Sequence, residues 1–149
     1  MFYPLFINLK NKKILVIGGG RVGSRRALYL LKAGALVTVI SKEFDKKLEI
    51  KNKNLKIIKK EINEKNLNEI SLKNYFLVII ATNDKKINGK IINKIKKNKT
   101  LVCRADKPSD GDVIFPAVSG VKEVKIAYTS FGKNPRLIKR IKGIIENEA

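Results

Sequence analysis

Histidine is absent from this chain of 149 residues, and there is a single cysteine, Cys103. Without imidazole, the usual general base near neutral pH and the commonest metal ligand are both missing. Acid–base work therefore falls to Asp, Glu, Lys or Tyr. One thiol and no histidine cannot compose a zinc cluster of the usual spacing, so no resident metal is expected, and only carboxylates could hold one transiently. Nor can a lone cysteine close an intrachain disulfide. Cys103 lies in an apolar run and reads as a reduced core thiol. No apolar run is long enough to cross a bilayer, and Met1-Phe-Tyr-Pro4 lacks the charged start and long apolar stretch of a secretion signal. The expectation is a soluble, cytoplasmic protein with no membrane partner.

Acidic residues are scarce as well, 13 against 33 Lys and Arg, for a formal net charge of +20. Lysine and asparagine recur at Lys46-Lys47, Lys51-Asn-Lys-Asn54 and Lys59-Lys60. Such a surplus has three readings: biased residue usage on solvated surfaces, a nucleic-acid partner, or an acidic small molecule drawn in by the positive field. Aromatic residues do not interleave with the lysine clusters and no DNA or RNA module is recognisable, which argues against nucleic acid.

What is present is a strand, a glycine turn and a helix in immediate succession. The apolar run Lys13–Ile17 feeds into Gly18-Gly-Gly20-Arg-Val-Gly23, a G-x-G-x-x-G spacing, and then into a helical pattern from Val22 to Ala33. In a dinucleotide site, Gly18 allows the tight turn, Gly20 lets the backbone approach a pyrophosphate, and Gly23 lets the helix pack close on its strand. Leu36–Ile40 supplies the return strand at βαβ spacing, with Gly34 ending the helix before it. The plain alternative is a structural turn in some other α/β protein.

Further along, Ser41–Asn52 reads as weakly helical, Leu55–Ile58 as a third strand, and Asn63–Lys73 as a polar connection with one helical turn. Tyr75–Ala81 is a continuous apolar run of the kind parallel strands show when covered on both faces. Ile87, Ile91, Ile92 and Ile95 then fall on one helical face, and Leu101–Cys103 forms the fifth strand. After Asp106–Gly111 the character changes. Val113–Val118 and Val124–Ser130 read as an extended pair joined through Ser119-Gly120. A helix from Pro135 follows, with Leu137, Ile138, Ile141, Ile144 and Ile145 on one stripe, either core or a dimer contact. Phe2–Leu9 reads as a short extended segment. The predicted architecture is thus α/β: a Rossmann-type parallel sheet over residues 1–112 and a small β-plus-helix extension over 113–149. This length leaves no room for a full catalytic domain besides, so a substrate site must use this domain's own edges or a second copy.

In doubly wound sheets ligands sit beyond the carboxyl ends of the strands, near the switch in strand order. The residues there are Gly18, Gly20, Arg21, Val22 and Gly23 after the first strand, with Arg21 able to reach a phosphate. Ser41, Lys42 and Glu43 follow the second, where an acidic residue for the ribose is usual and its place is taken by Ser41-Lys42. Ser41 or Glu43 could bond the ribose, and Lys42 could meet a 2′-phosphate; NAD is favoured over NADP. Ala81, Thr82 and Asn83 follow the fourth strand, where Asn83 or Asp84 also suits a helix cap. Arg104-Ala-Asp106 follows the fifth. A carboxylate there could accept a proton while a hydride leaves to a nicotinamide; equally, Asp106 could be an ordinary turn residue before Lys107-Pro108.

Six blocks taken in order, Pro4–Leu9, Val16–Gly20, Ala81–Asp84, Arg104–Pro108, Ile114–Ala117 and Ser130–Pro135, resemble the precorrin-2 dehydrogenase family, which includes the N-terminal part of siroheme synthases. The resemblance runs from Phe2 to about Ile145. It implies NAD-dependent removal of two hydrogens from precorrin-2 to give sirohydrochlorin, a homodimer, and an anionic tetrapyrrole as substrate. It also implies that Asp106 is catalytic, as general base or in positioning the macrocycle, and offers Arg104, Lys107, Ser130, Lys133 and Arg136 as carboxylate contacts. Around the aspartate this chain reads Cys103-Arg-Ala-Asp106, an arginine where the family often has an apolar residue. Lack of histidine argues against the ferrochelatase activity of some relatives. A non-catalytic NAD(H)-sensing module is the rival, but such modules usually carry the acid after the second strand and lack the Ile114–Ala117 and Ser130–Gly132 blocks.

Overall fold

In the computed structural model, which describes residues 1–96 and 99–147, the first apolar run forms strand β1 (Lys13–Gly19), buried from Ile14 onward. It sits at the centre of a parallel sheet because it is apolar on both faces, and a strand without a polar face must be covered on both sides. Helix α1 (Arg21–Lys32) returns the chain to β2 (Leu36–Phe44), and β3 (Leu55–Lys59) adds to the outer edge. The chain then crosses to the other side of β1 for β4 (Leu77–Ile80), α2 (Lys85–Ile95) and β5 (Leu101–Arg104). The strand order is β3-β2-β1-β4-β5, all parallel, so the order reverses between β1 and β4.

The four isoleucines predicted to share one face of α2 are all buried there, against Leu15, Ile17, Val78, Ile80 and Val102. At about 1.5–3 kcal/mol for each large aliphatic side chain, this face is what holds a helix otherwise rich in Lys and Asn onto the sheet. Asp84 caps it, accepting from the N–H groups of Lys86 and Ile87. The connection between β3 and β4 has its expected helical turn at Leu67–Glu69, and tucks Leu67, Ile70 and Leu72 into the same core.

The segment after Ile40 differs from expectation. It continues as strand through Phe44, and only Lys46–Leu48 make a single 3-10 turn, capped by Asp45. The cause is ladder partners on both sides: a bulge in β1 pairs Gly19 with Phe44, and Lys60 N–H donates to Ser41 O. Phe2–Leu9 lies outside regular secondary structure and is mostly exposed.

A second compact unit begins at Ile114. It contains an antiparallel pair, β6 (Ala117–Val121) and β7 (Val124–Tyr128), and helix α3 (Pro135–Asn147), which packs on β6. The last two positions of the expected extension lie outside the described residues. The turn falls at Lys122-Glu123, with Lys122 at φ 51°, and not at Ser119-Gly120. Those two lie within β6, where the buried Ser119 hydroxyl bonds the Tyr128 hydroxyl at 2.7 Å, and Pro116, lacking an N–H, precedes the first paired residue. No residue of the α3 stripe is fully buried. Ile138, Ile141 and Ile145 are half-buried, while Leu137 and Ile144 are exposed. Among the described residues no helix is long and apolar enough to cross a membrane.

Candidate active site

The loops after β1 and β4 flank the point where strand order reverses, and they touch. Gly18 takes φ 106°, and a Cβ on it would overlap the carbonyl group of Ala81. Gly23, one turn into α1, presses on the same loop from the other side: a Cβ there would overlap the carbonyl oxygen of Gly18. Around Gly20, by contrast, an added Cβ would meet nothing within 4 Å. This space is what a backbone reserved for a pyrophosphate would leave. Gly20 is also the N-cap of α1, no side chain caps that end among the described residues, and its first turn carries Arg21 and no acid. A cation there opposes the helix dipole but complements a bound phosphate.

From this loop a cleft of about 770 Å³ runs over the carboxyl ends of β2, β3 and β4. It is within the range of small-molecule and cofactor sites. Its walls include Gly18, Gly20, Arg21 and Val22, then Ser41, Lys42 and Glu43, then Ala81, Thr82 and Asn83, so the residues expected from sequence converge, with Gly23 packed behind the loop. Phe44, Asp45 and Glu61–Asn63 also line it and were not foreseen. Glu61–Asn63 follow β3 just as the expected residues follow their strands, so the same rule would have found them. Lys42 is paired with Glu61 at 3.4 Å, both side chains more than half exposed, a contact worth little in energy. The open cradle at Gly20, the uncapped helix end and the ribose-bonding candidates Ser41 and Glu43 fit a dinucleotide.

Asp106 does not line this cleft. It follows β5, the neighbour of β4, whose own loop walls the cleft and is held by Asn88 of α2. Asn88, fully buried, donates to Thr82 O at 3.1 Å and receives the Thr82 hydroxyl, and it contributes a little to holding the Asp106 carboxyl low. Sequence reasoning missed Asn88, though a polar residue on the apolar face of Ile87, Ile91 and Ile95 was a visible signal. Asn88→Ala would leave the Thr82 carbonyl without its side-chain donor; the expected cost is about 1–3 kcal/mol of stability, measurable by urea denaturation.

Arg104 was expected to receive substrate carboxylates. Instead its side chain is 9% exposed and its donors are engaged inside the protein. Nε and Nη2 donate to the two oxygens of Asp106, each at 2.9 Å, Nη1 donates to Asp110 Oδ2 at 2.9 Å, and Nη2 also reaches Lys85 O at 3.4 Å. The Arg104 hydrogen bonds hold the Asp106 carboxyl below its usual range, and the pairing raises Arg104 further. Asp110 is likewise lowered, first by Lys107, which lies 3.0 Å away. Because the folded Asp106 carboxyl titrates below the unfolded value of about 3.9, its contribution to stability is present above that pH. It is lost as pH falls through the folded pKa. Urea midpoints are therefore expected to drop as pH falls through about 4 and below, and to drop less in Asp106→Asn. Lys107 is exposed and paired with Asp110.

Ser130, Lys133 and Arg136 gather in the second unit at the start of α3. Ser130 Oγ accepts from Asn134 N–H, Ser130 O from Lys133 N–H, and Asn134 caps the helix through Leu137 N–H. All but Ser130 are exposed, and Ser130 is half-buried.

The sheet and the glycine cradle define an NAD(P)-binding Rossmann domain, and residues 5–117 match the family described as putative NAD(P)-binding. The chain is 38% identical over 151 residues to the putative precorrin-2 dehydrogenase of Methanocaldococcus jannaschii, covering 97% of this chain and 72% of that protein. It is 31% identical to the siroheme synthase of Zymomonas mobilis, but spans only 30% of that longer protein's length. Among solved structures, SirC, precorrin-2 dehydrogenase, superposes with a TM-score of 0.77 at 30% identity, over 99% of this chain and 71% of that one. The chain belongs to the precorrin-2 dehydrogenase family.

Proposed function

We propose that this protein dehydrogenates precorrin-2 to sirohydrochlorin with NAD, and that Asp106 is its catalytic carboxylate. The observation that carries the reading is an aspartate beyond β5 with both oxygens held by the Arg104 guanidinium, on the strand next to β4, whose loop walls the nucleotide cleft. NAD, when bound, supplies the hydride acceptor. Gly20 and the first turn of α1 would take its pyrophosphate, Arg21 a phosphate oxygen, and Ser41 or Glu43 the ribose hydroxyls. A carboxylate at Asp106 opposes the positive charge left on a substrate that gives up a hydride, and offers a base for the accompanying proton. Lys107, Ser130, Lys133 and Arg136 are the proposed contacts for the acetate and propionate rim of the tetrapyrrole. The second unit would contribute substrate contact and dimerisation, a second copy covering Leu137 and Ile144. The test is anaerobic mixing of purified protein, precorrin-2 and NAD, followed by absorbance. The expected result is sirohydrochlorin and NADH formed together; NAD binding with no turnover under any condition would defeat the proposal and favour a sensing role.

A further inference from the structure

We propose that Arg104 is a positioning residue: a two-toothed clamp that fixes the Asp106 carboxylate in one orientation beyond β5, with Asp110 as the anchor that holds the clamp. The inference rests on the reading of Asp106 as the reacting carboxylate.

Both oxygens of Asp106 accept from Arg104, through Nε and Nη2 at 2.9 Å each, in the planar fork geometry that gives Arg–carboxylate pairs their directionality. The guanidinium is nearly buried and cannot swing away, because Nη1 is held by Asp110 at 2.9 Å and Nη2 also reaches the carbonyl of Lys85 at the start of α2. Among the described residues, the groups that face Asp106 are few. On its own segment there are Arg104 and, through Asp110, Lys107; from α2 there are the Lys85 carbonyl and Asn88. From α1, Arg26 directs its guanidinium to Cys103 on the same strand. Protonating Asp106 would cost it an Arg104 hydrogen bond, since an oxygen that carries a proton faces an N–H donor. The clamp therefore favours a carboxylate that stays charged and does not rotate. Such a group suits stabilising a developing cation better than it suits free proton exchange, since a fixed charge needs no reorganisation when the substrate's charge changes. A lysine at 104 would keep the charge but lose the fork.

The experiment uses the full chain with ¹³C-carboxyl-labelled aspartate. Asp106 is titrated by NMR in the wild type, Arg104→Lys, Arg104→Met and Asp110→Asn, beside pH profiles of turnover with precorrin-2 and NAD. In Arg104→Met the Asp106 titration is expected to move up by about one pH unit or more. The acidic limb of kcat should move with it, and kcat should fall roughly ten- to a hundredfold at unchanged NADH affinity. Arg104→Lys should restore the titration in part but not kcat. If Arg104→Met fails to fold, Arg104→Lys carries the test and should shift both readouts upward by less, while Asp110→Asn, which removes a like charge beside the same guanidinium, should move the titration down. An Asp106 titration that none of these variants moves overturns the proposal, as does a shifted titration with an unshifted pH profile. No turnover by the wild type at any pH would instead sink the dehydrogenase reading, and the NMR titration alone would then decide whether the clamp exists.

Discussion

Gly23→Ala is expected to lower stability by about 3 kcal/mol or more, or to prevent folding, while Gly20→Ala, three residues earlier, costs only about 1 kcal/mol, the preference of an N-cap for glycine over alanine. Helix propensity predicts the opposite at position 23, since alanine is favoured over glycine by about 1 kcal/mol inside a helix. Sterics decide the sign. The new methyl would overlap the carbonyl oxygen of Gly18, a backbone atom, and Gly18 cannot retreat because it already lies against the backbone of Ala81. At Gly20 the backbone is extended, φ −71° and ψ −173°, which any residue adopts, and the methyl enters empty space. That space is where the pyrophosphate is proposed to lie, so Gly20→Ala should bind NADH at least about tenfold more weakly despite its intact fold. Chemical denaturation and NADH fluorescence titration on the same two proteins separate the effects. A Gly20→Ala protein that binds NADH as the wild type does would mean that the dinucleotide does not cross this loop.

The glycine loop and the parallel sheet were legible in the sequence because their signals are local and reinforce one another. An apolar run the length of a strand, a G-x-G-x-x-G turn and an amphipathic helix each exclude most alternatives, and together they leave one arrangement. The extension of β2 to Phe44 was not legible, because Ser41-Lys-Glu43 has no strand pattern of its own; it is strand because β1 and β3 hold it from both sides. The hairpin turn was misplaced for a related reason. Ser119-Gly120 carries turn chemistry, but the register is set by pairs such as Ser119 with Ile126 and Gly120 with Lys125, which pushes the reversal to Lys122-Glu123. At the site, residue types pointed correctly to which segments meet at the cleft, whereas the state of Arg104 could not be read. Whether an arginine faces a ligand or its own chain depends on where two nearby carboxylates point. Here Asp106 and Asp110 turn it inward.

Asp106→Asn is expected to reduce kcat by about 10²–10⁴-fold with NADH affinity unchanged, the range lost when a positioned charge-stabilising or acid–base group is removed. Asparagine keeps the size of the side chain and one acceptor oxygen, so the Arg104 Nε hydrogen bond can persist. It replaces the second oxygen with a donor that opposes Nη2, and it removes the charge that partners Arg104. The resulting loss of stability should be about 1–3 kcal/mol, buffered because Asp110 remains on Nη1. Set against a typical total stability of about 5–15 kcal/mol, that loss leaves nearly every molecule folded. Unfolding therefore cannot account for a hundredfold drop in rate, and a melting curve taken on the assayed sample makes the distinction directly. Asp106 is not among the residues that line the cleft, which is why cofactor affinity should not follow the rate. A variant that turns over within a few-fold of wild type would assign Asp106 to holding Arg104 and the turn after β5, and would move the search for the reacting group to the exposed Lys107 and to the Ser130–Arg136 segment of the second unit.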